Sequence, residues 1–190
     1  MKIIAINGSP RVNGNTNILL TEMGKIFEKE KVEYEIVQVG NKPIRGCVDC
    51  RTCFKTTDER CAVTDDIVNE VIQKIKKADG IILGSPVYFS GIAGTMKAFL
   101  DRAFFVAAAN GGLYKNKVGI VVVAVRRTGG SDTVDALHRY LMLSGITPAP
   151  TPAWGIVYGR EKGEVLEDKE GIKTVVQTAE NMVALIKKLR

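Results

Sequence analysis

Residues 2–16 read Lys2-Ile3-Ile4-Ala5-Ile6-Asn7-Gly8-Ser9-Pro10-Arg11-Val12-Asn13-Gly14-Asn15-Thr16, an apolar run that stops at a loop of glycine, serine, proline and asparagine. Beyond the loop, Ile18, Leu19, Met23, Ile26 and Phe27 recur at helical spacing, so the stretch predicts strand, loop and helix in that order. The alternation continues down the chain. Glu33–Val39 alternates as a strand, 65–77 is amphipathic through Ile67, Val68, Val71, Ile72 and Ile75, and Gly80–Gly84 is apolar again. Thr95–Phe105 predicts a helix, Lys117–Val125 the most hydrophobic strand, and 131–144 a helix capped by Ser131 or Asp132 and closed by Gly145. A last strand near 153–158, with Trp154 in the core, and a helix over 169–189 complete five β-α units. Near-continuous Val/Ile strands are covered on both faces, so the order predicts an α/β fold: a five-stranded doubly wound parallel sheet with helices on both faces.

The 190 residues, 45% of them hydrophobic, suffice for one domain spanning 1–190, with a cysteine-rich insertion at about 45–63. Nineteen glycines and six prolines without a repeat argue against disorder, fibres and solenoids. No apolar run approaches the ~18 residues of a membrane span, and Met1–Asn7 is too short for a secretory signal. A cytoplasmic protein with no membrane partner is the expectation. The 27 Lys and Arg against 21 Asp and Glu leave a charge of +6, but the basic residues are scattered and mostly close helices, where they complement the dipole. With 6% aromatics to stack on bases, nucleic acid is not expected as a partner.

In a doubly wound sheet, ligands bind in the crevice beyond the carboxyl ends of the strands. The loop 8–16 lies there. It offers backbone N–H groups and short polar side chains near the positive end of a helix dipole, the arrangement that holds a phosphate. It is neither G-x-G-x-x-G nor a P-loop, and it carries no cysteine nucleophile. A phosphate monoester held by neutral donors and Arg11 fits it, although Ser9, Asn13 and Asn15 also suit plain turns and caps.

All four cysteines fall at Cys47, Cys50, Cys53 and Cys61, a crowding that chance placement produces roughly two times in a thousand. In a reducing compartment disulfides are disfavoured, which leaves a shared metal or cluster, redox thiols, or packing. Three cysteines at x2 spacing followed by a fourth resemble the run that wraps a [4Fe–4S] cluster, but the last gap is seven residues instead of three and no proline follows. Zinc sites favour two separated C-x2-C pairs.

The segment Gly84-Ser85-Pro86-Val87-Tyr88-Phe89-Ser90-Gly91 ends a strand in a turn carrying an aromatic pair. With Gly8-Ser9-Pro10-Arg11 to Asn15-Thr16 before it and Lys97-Ala98-Phe99-Leu100-Asp101-Arg102 after it, the chain resembles the NADPH-dependent FMN reductase family of flavodoxin-like proteins along essentially its whole length. The cysteine run before Asp65-Asp66 is similar to that of the family's iron–sulfur flavoproteins. The resemblance implies that Ser9, Arg11, Asn13, Asn15 and Thr16 hold the FMN phosphate and ribityl chain. It further implies that Pro86, Val87, Tyr88, Phe89, Ser90 and Gly91 border the isoalloxazine ring, that Gly129 and Gly130 close the other side, and that Cys47, Cys50, Cys53 and Cys61 carry a [4Fe–4S] cluster. Chemistry would then run at flavin N5 with no catalytic side chain, in a homo-oligomer (dimer or tetramer) served by ferredoxin or a small-molecule acceptor.

Two other readings stay open. One is a cluster-free NAD(P)H-dependent FMN or quinone reductase, with NAD(P)H as donor; the other is a non-catalytic zinc or nucleotide-binding regulator. Arg126 and Arg127 follow a strand near the expected site and suit either a nucleotide phosphate or solvent. His138, the single histidine, reads as an ordinary helix residue. Asp65 and Asp66 read as favouring a helix start, with ordering of the cysteine loop just before them as the alternative.

Overall fold

A computed structural model describes residues 1–190. Its framework is a parallel sheet of β1 (Lys2–Asn7), β2 (Glu33–Gln38), β3 (Gly80–Tyr88) and β5 (Val118–Val125), with a broken fifth position formed by β6 (Thr147–Pro148) and β7 (Ile156–Tyr158). The strand order is β2-β1-β3-β5, and both β6 and β7 pair with β5. The short β4 (Gly91–Ile92) folds back antiparallel on the end of β3, making a hairpin. The expected five-stranded, doubly wound α/β sheet is present.

The faces of the sheet explain its apolar strands. In β1, Ile4 and Ile6 point into one core and Ile3 and Ala5 into the other; β5 likewise divides Val121, Val123 and Val125 from Val118, Ile120, Val122 and Ala124. The first core is closed by α3 (Val68–Lys77), α4 (Gly94–Ala109) and α5 (Gly130–Leu143), the second by α1 (Asn15–Lys29) and α6 (Lys169–Leu189). An element buried on both sides has no polar face to alternate with. A short helix, α2 (Thr52–Thr56), lies within the cysteine segment.

Four expectations need correction. The last strand is shorter than 153–158: Gly155 stands in the left-handed region at φ 72°, so pairing resumes only at Ile156, while Pro148, Pro150 and Pro152 upstream cannot donate to a ladder and leave β6 two residues long. Trp154 lies in the intervening loop, 67% exposed rather than in the core. The helix expected from 65 begins at Val68, with the Asp66 carboxylate accepting the Val68 N–H at 3.0 Å. At the start of α5 neither Ser131 nor Asp132 caps; Gly129 does, in the left-handed region at φ 82°. That position leaves no room for a side chain, since a Cβ there would stand 2.6 Å from Ser90 Cα.

Candidate functional site

Beyond the carboxyl ends of β1, β3 and β5 lies a crevice of about 360 Å3, lined by Ser9, Arg11, Asn15, Thr16, Pro86, Val87 and Tyr88 from the expected loops. Ala124 and Arg126 at the end of β5 and Gly159, Arg160 and Glu161 after β7 complete its wall. Asn13 is exposed on the loop. Phe89 and Ser90 make the turn of the β3–β4 hairpin, and Gly129 packs on Ser90, so the 86–91 and 129–130 segments touch; Phe89, Ser90, Gly91, Gly129 and Gly130 themselves do not line the crevice.

The first loop is shaped from below. Asn7 Oδ1 accepts the Ser9 N–H at 3.0 Å, and Ser9 Oγ accepts the Arg11 N–H at 3.1 Å. Gln38 in β2 accepts from Asn7 at 2.7 Å and donates to the Ser9 carbonyl. Gly40 presses on the same backbone, where a Cβ would come within 2.2 Å of the Ser9 carbonyl oxygen. These braces turn the loop so that α1 begins at Gly14 with no side-chain cap. No backbone acceptor takes the N–H of Asn15, Thr16 or Asn17, the donors a helix start leaves free. Thr16 is buried beside them, and its Oγ1 has no hydrogen-bond partner. Unpaired buried donors cost stability unless a ligand accepts from them.

Asn15 departs from its expected role. Its side-chain amide donates to the carbonyls of Gly159 (3.2 Å) and Glu161 (2.9 Å), and its Oδ1 accepts the Gly163 N–H at 2.8 Å. The side chain clamps the far wall of the crevice to the start of α1. Sequence reasoning missed that wall, because Gly159–Glu161 lies more than 140 residues from the loop it faces and has no motif. Asn7 and Gln38 were missed as well, although a polar residue ending a buried strand was a signal.

The four cysteines line one small cavity of about 20 Å3, together with Arg51, Ala62, Arg102, Phe105 and Val106. Cys47 and Cys50 are exposed, Cys61 is half-buried and Cys53 is buried. No three of the chain's His, Cys, Asp or Glu residues stand close enough to hold a metal ion in this conformation. The segment is wound rather than layered: Asp49, Arg51, Thr57 and Glu59 all have positive φ, a conformation non-glycine residues rarely adopt. Hydrogen bonding to Thr52 pulls the Cys50 thiol below the ordinary thiol range, whereas burial pushes Cys53 up.

What fixes this segment is Arg102 on α4. Its side chain is 1% exposed and pairs with Asp66, 2% exposed. Nη2 reaches Asp66 Oδ1 at 3.2 Å and the Val63 carbonyl at 3.0 Å, Nη1 reaches the Arg45 carbonyl at 3.4 Å, and Nε donates to Cys61 Sγ at 3.3 Å. Asp66 therefore orders the cysteine segment as well as the helix start, the second of the two roles its position just past Cys61 suggested. Asn69 adds a second tie, accepting the Cys61 N–H at 2.7 Å and donating to the Cys61 carbonyl at 3.0 Å. His138 bonds only its own helix, at the Val134 carbonyl. Arg126 lines the crevice and Arg127 does not, both being exposed.

A family model described as NADPH-dependent FMN reductase matches residues 1–161. An iron-sulfur flavoprotein of Methanocaldococcus jannaschii is 32% identical over the whole of both chains. One of Archaeoglobus fulgidus is 30% identical over 98% of each. Among solved structures, RosB with a bound 8-demethyl-8-formylriboflavin-5'-phosphate intermediate superposes with a TM-score of 0.76 at 17% identity, covering all of this chain and 80% of that one, which supports the fold. No helix is long and apolar enough to cross a membrane. The chain is thus a flavin-dependent oxidoreductase that belongs to the NADPH-dependent FMN reductase family, among relatives that are iron-sulfur flavoproteins.

Proposed function

We propose that this chain binds FMN in the crevice at the strand ends and a [4Fe–4S] cluster on Cys47, Cys50, Cys53 and Cys61, and that its work is to pass electrons between them. The observation that carries the reading is the pairing of an uncapped helix start, with the orphaned Thr16 hydroxyl beside it, and four thiols gathered round one separate cavity. The first fits a phosphate monoester. The second is a soft donor set suited to iron and sulfide, with Cys47 and Cys50 at the surface and the cavity between the four thiols smaller than a four-iron cube.

Bound in these places, FMN supplies hydride and single-electron chemistry and the cluster supplies single-electron transfer. The protein binds and orients. The Asn15, Thr16 and Asn17 N–H groups and the Thr16 hydroxyl take the phosphate, with Arg11 at the rim. Pro86, Val87 and Tyr88 border the ring, and the Phe89–Gly91 tip, against Gly129 and Gly130, covers its edge. No side-chain acid or base in the crevice is required. Asn13 is left to the solvent side, and Asn15 acts by holding the 159–163 wall. A homo-oligomer, dimer or tetramer, belongs to the same reading, supported by Met142 and Leu143 exposed beside Gly111 and Gly112; so does a redox partner such as ferredoxin or a small-molecule acceptor.

Arg126 and Arg160 on the crevice rim favour a second reading, in which NAD(P)H reduces the flavin directly and the cysteines hold no cluster. Anaerobic reductive titration separates the two. Under the first, the flavin absorbance and an iron–sulfur electron paramagnetic resonance signal both respond, and the latter vanishes in Cys53→Ser. A protein that titrates as flavin alone after anaerobic reconstitution overturns it.

A further inference from the structure

The Arg102 side chain is almost completely enclosed, and most of its donors are occupied in a way that leaves one direction to explain. Asp66 and the carbonyls of Val63 and Arg45 take the two terminal nitrogens. Nε alone points at sulfur, 3.3 Å from Cys61 Sγ. A guanidinium is planar and cannot turn one N–H without turning the others. The acceptors on Nη1 and Nη2 therefore set the direction of the Nε–H bond. They also come from both sides of Cys61 in sequence, Arg45 before the cysteine run and Val63 after it, so one side chain ties down both ends of the segment.

Asp66 makes this enclosure tenable. A lone buried guanidinium would be costly to desolvate, whereas paired with a carboxylate that also accepts the Val68 N–H it is satisfied. The pair is net neutral. Its effect on the neighbouring sulfur is then that of a directed hydrogen bond much more than of a free charge. Hydrogen bonds to ligand sulfurs are among the factors that set the potential of an iron–sulfur group, because they draw electron density from the sulfur and favour the reduced state.

Resting on the cluster reading above, we propose that Arg102 is a positioning residue of the cysteine site: through its Nε–H bond to Cys61, held in direction by Asp66, it raises the reduction potential of the group the four cysteines bind. The flavin crevice has no part in this contact, so the flavin is not tuned by it.

Two variants of the full chain test this, each purified anaerobically and reconstituted with iron and sulfide. Arg102→Lys keeps the charge but loses the planar fork. The double variant Arg102→Met with Asp66→Asn removes the donor while leaving no unpaired buried charge, and the asparagine keeps an oxygen for the Val68 N–H. Redox titration monitored by electron paramagnetic resonance is read beside the flavin potential and iron content. The expected result is that the ratio of reduced to oxidised cluster at a fixed potential falls about tenfold in the double variant, equivalent to about 59 mV for a one-electron couple. The flavin potential stays unchanged, and Arg102→Lys falls in between. A loaded wild type whose cluster potential is matched by both variants overturns the role of Arg102 alone. A wild type that takes up no iron overturns the cluster reading and this inference with it.

Discussion

The crevice beyond β1, β3 and β5 is shaped mainly by backbone that the sheet holds in place, whereas the cysteine segment has no sheet beneath it and hangs on side chains from α3 and α4. In the crevice, donors are aimed by where strands end and α1 begins, and the supporting contacts of Asn7, Gln38 and Gly40 come from neighbouring strands or the turn just beyond them. Around the cysteines, Arg102 and Asn69 do that work one hydrogen bond at a time, and the loop takes up four left-handed non-glycine residues. The difference teaches where each site is vulnerable. In the crevice, a change that leaves the fold's geometry intact removes one contact among several, while the cysteine site can be undone by one side chain.

The largest test of that contrast is Cys53→Ser or Cys50→Ser. Iron is expected to fall from about four atoms per chain to near none, with FMN bound as before; unchanged iron in both variants contradicts the placement of the cluster. From the other side, Gly40→Ala drives a methyl into the Ser9 carbonyl. Overpacking of this kind costs about 1–3 kcal/mol, and the expected result is FMN binding weakened about a hundredfold by flavin-fluorescence titration, with iron content unaffected. If both cofactors were lost together, the independence of the two regions would fail.

Asn69→Ala removes the ties to Cys61 and a longer one to Val63. Iron-free protein is expected to lose about 2 kcal/mol in urea denaturation, with FMN affinity unchanged. Smallest is Thr16→Val, nearly isosteric, which deletes a hydroxyl that has no partner in the chain. The flavin-free protein should be as stable as wild type or slightly more so, because an unsatisfied buried group is gone, while FMN affinity drops about tenfold. Equal affinity would mean that the hydroxyl does not meet the phosphate.

Much of the fold was legible because its central strands are short and almost wholly apolar, β2 alternates and the helices are amphipathic, and the phosphate loop was legible because it sits between the first strand and helix. The fifth strand was misread despite a visible signal. Gly155 takes a left-handed turn inside the expected 153–158 strand, and Trp154, read as core because it lay near that strand, rides the loop before it. The Arg102–Asp66 pair spans 36 residues and follows no local period. Asn15 reads identically in sequence whether it caps, binds a ligand or, as here, clamps a distant loop. Local chemistry is written in spacing, but contacts between separate crossovers are set by how the layers pack.

Whether one chain carries two chemically distinct redox sites in separate places is decided by anaerobic purification followed by iron, acid-labile sulfide and flavin determination on a single sample. One FMN with about four irons and four sulfides per chain is the predicted result. FMN with no iron, persisting after anaerobic reconstitution, would contradict it and leave the cysteines as thiols beside a flavin reduced by NAD(P)H.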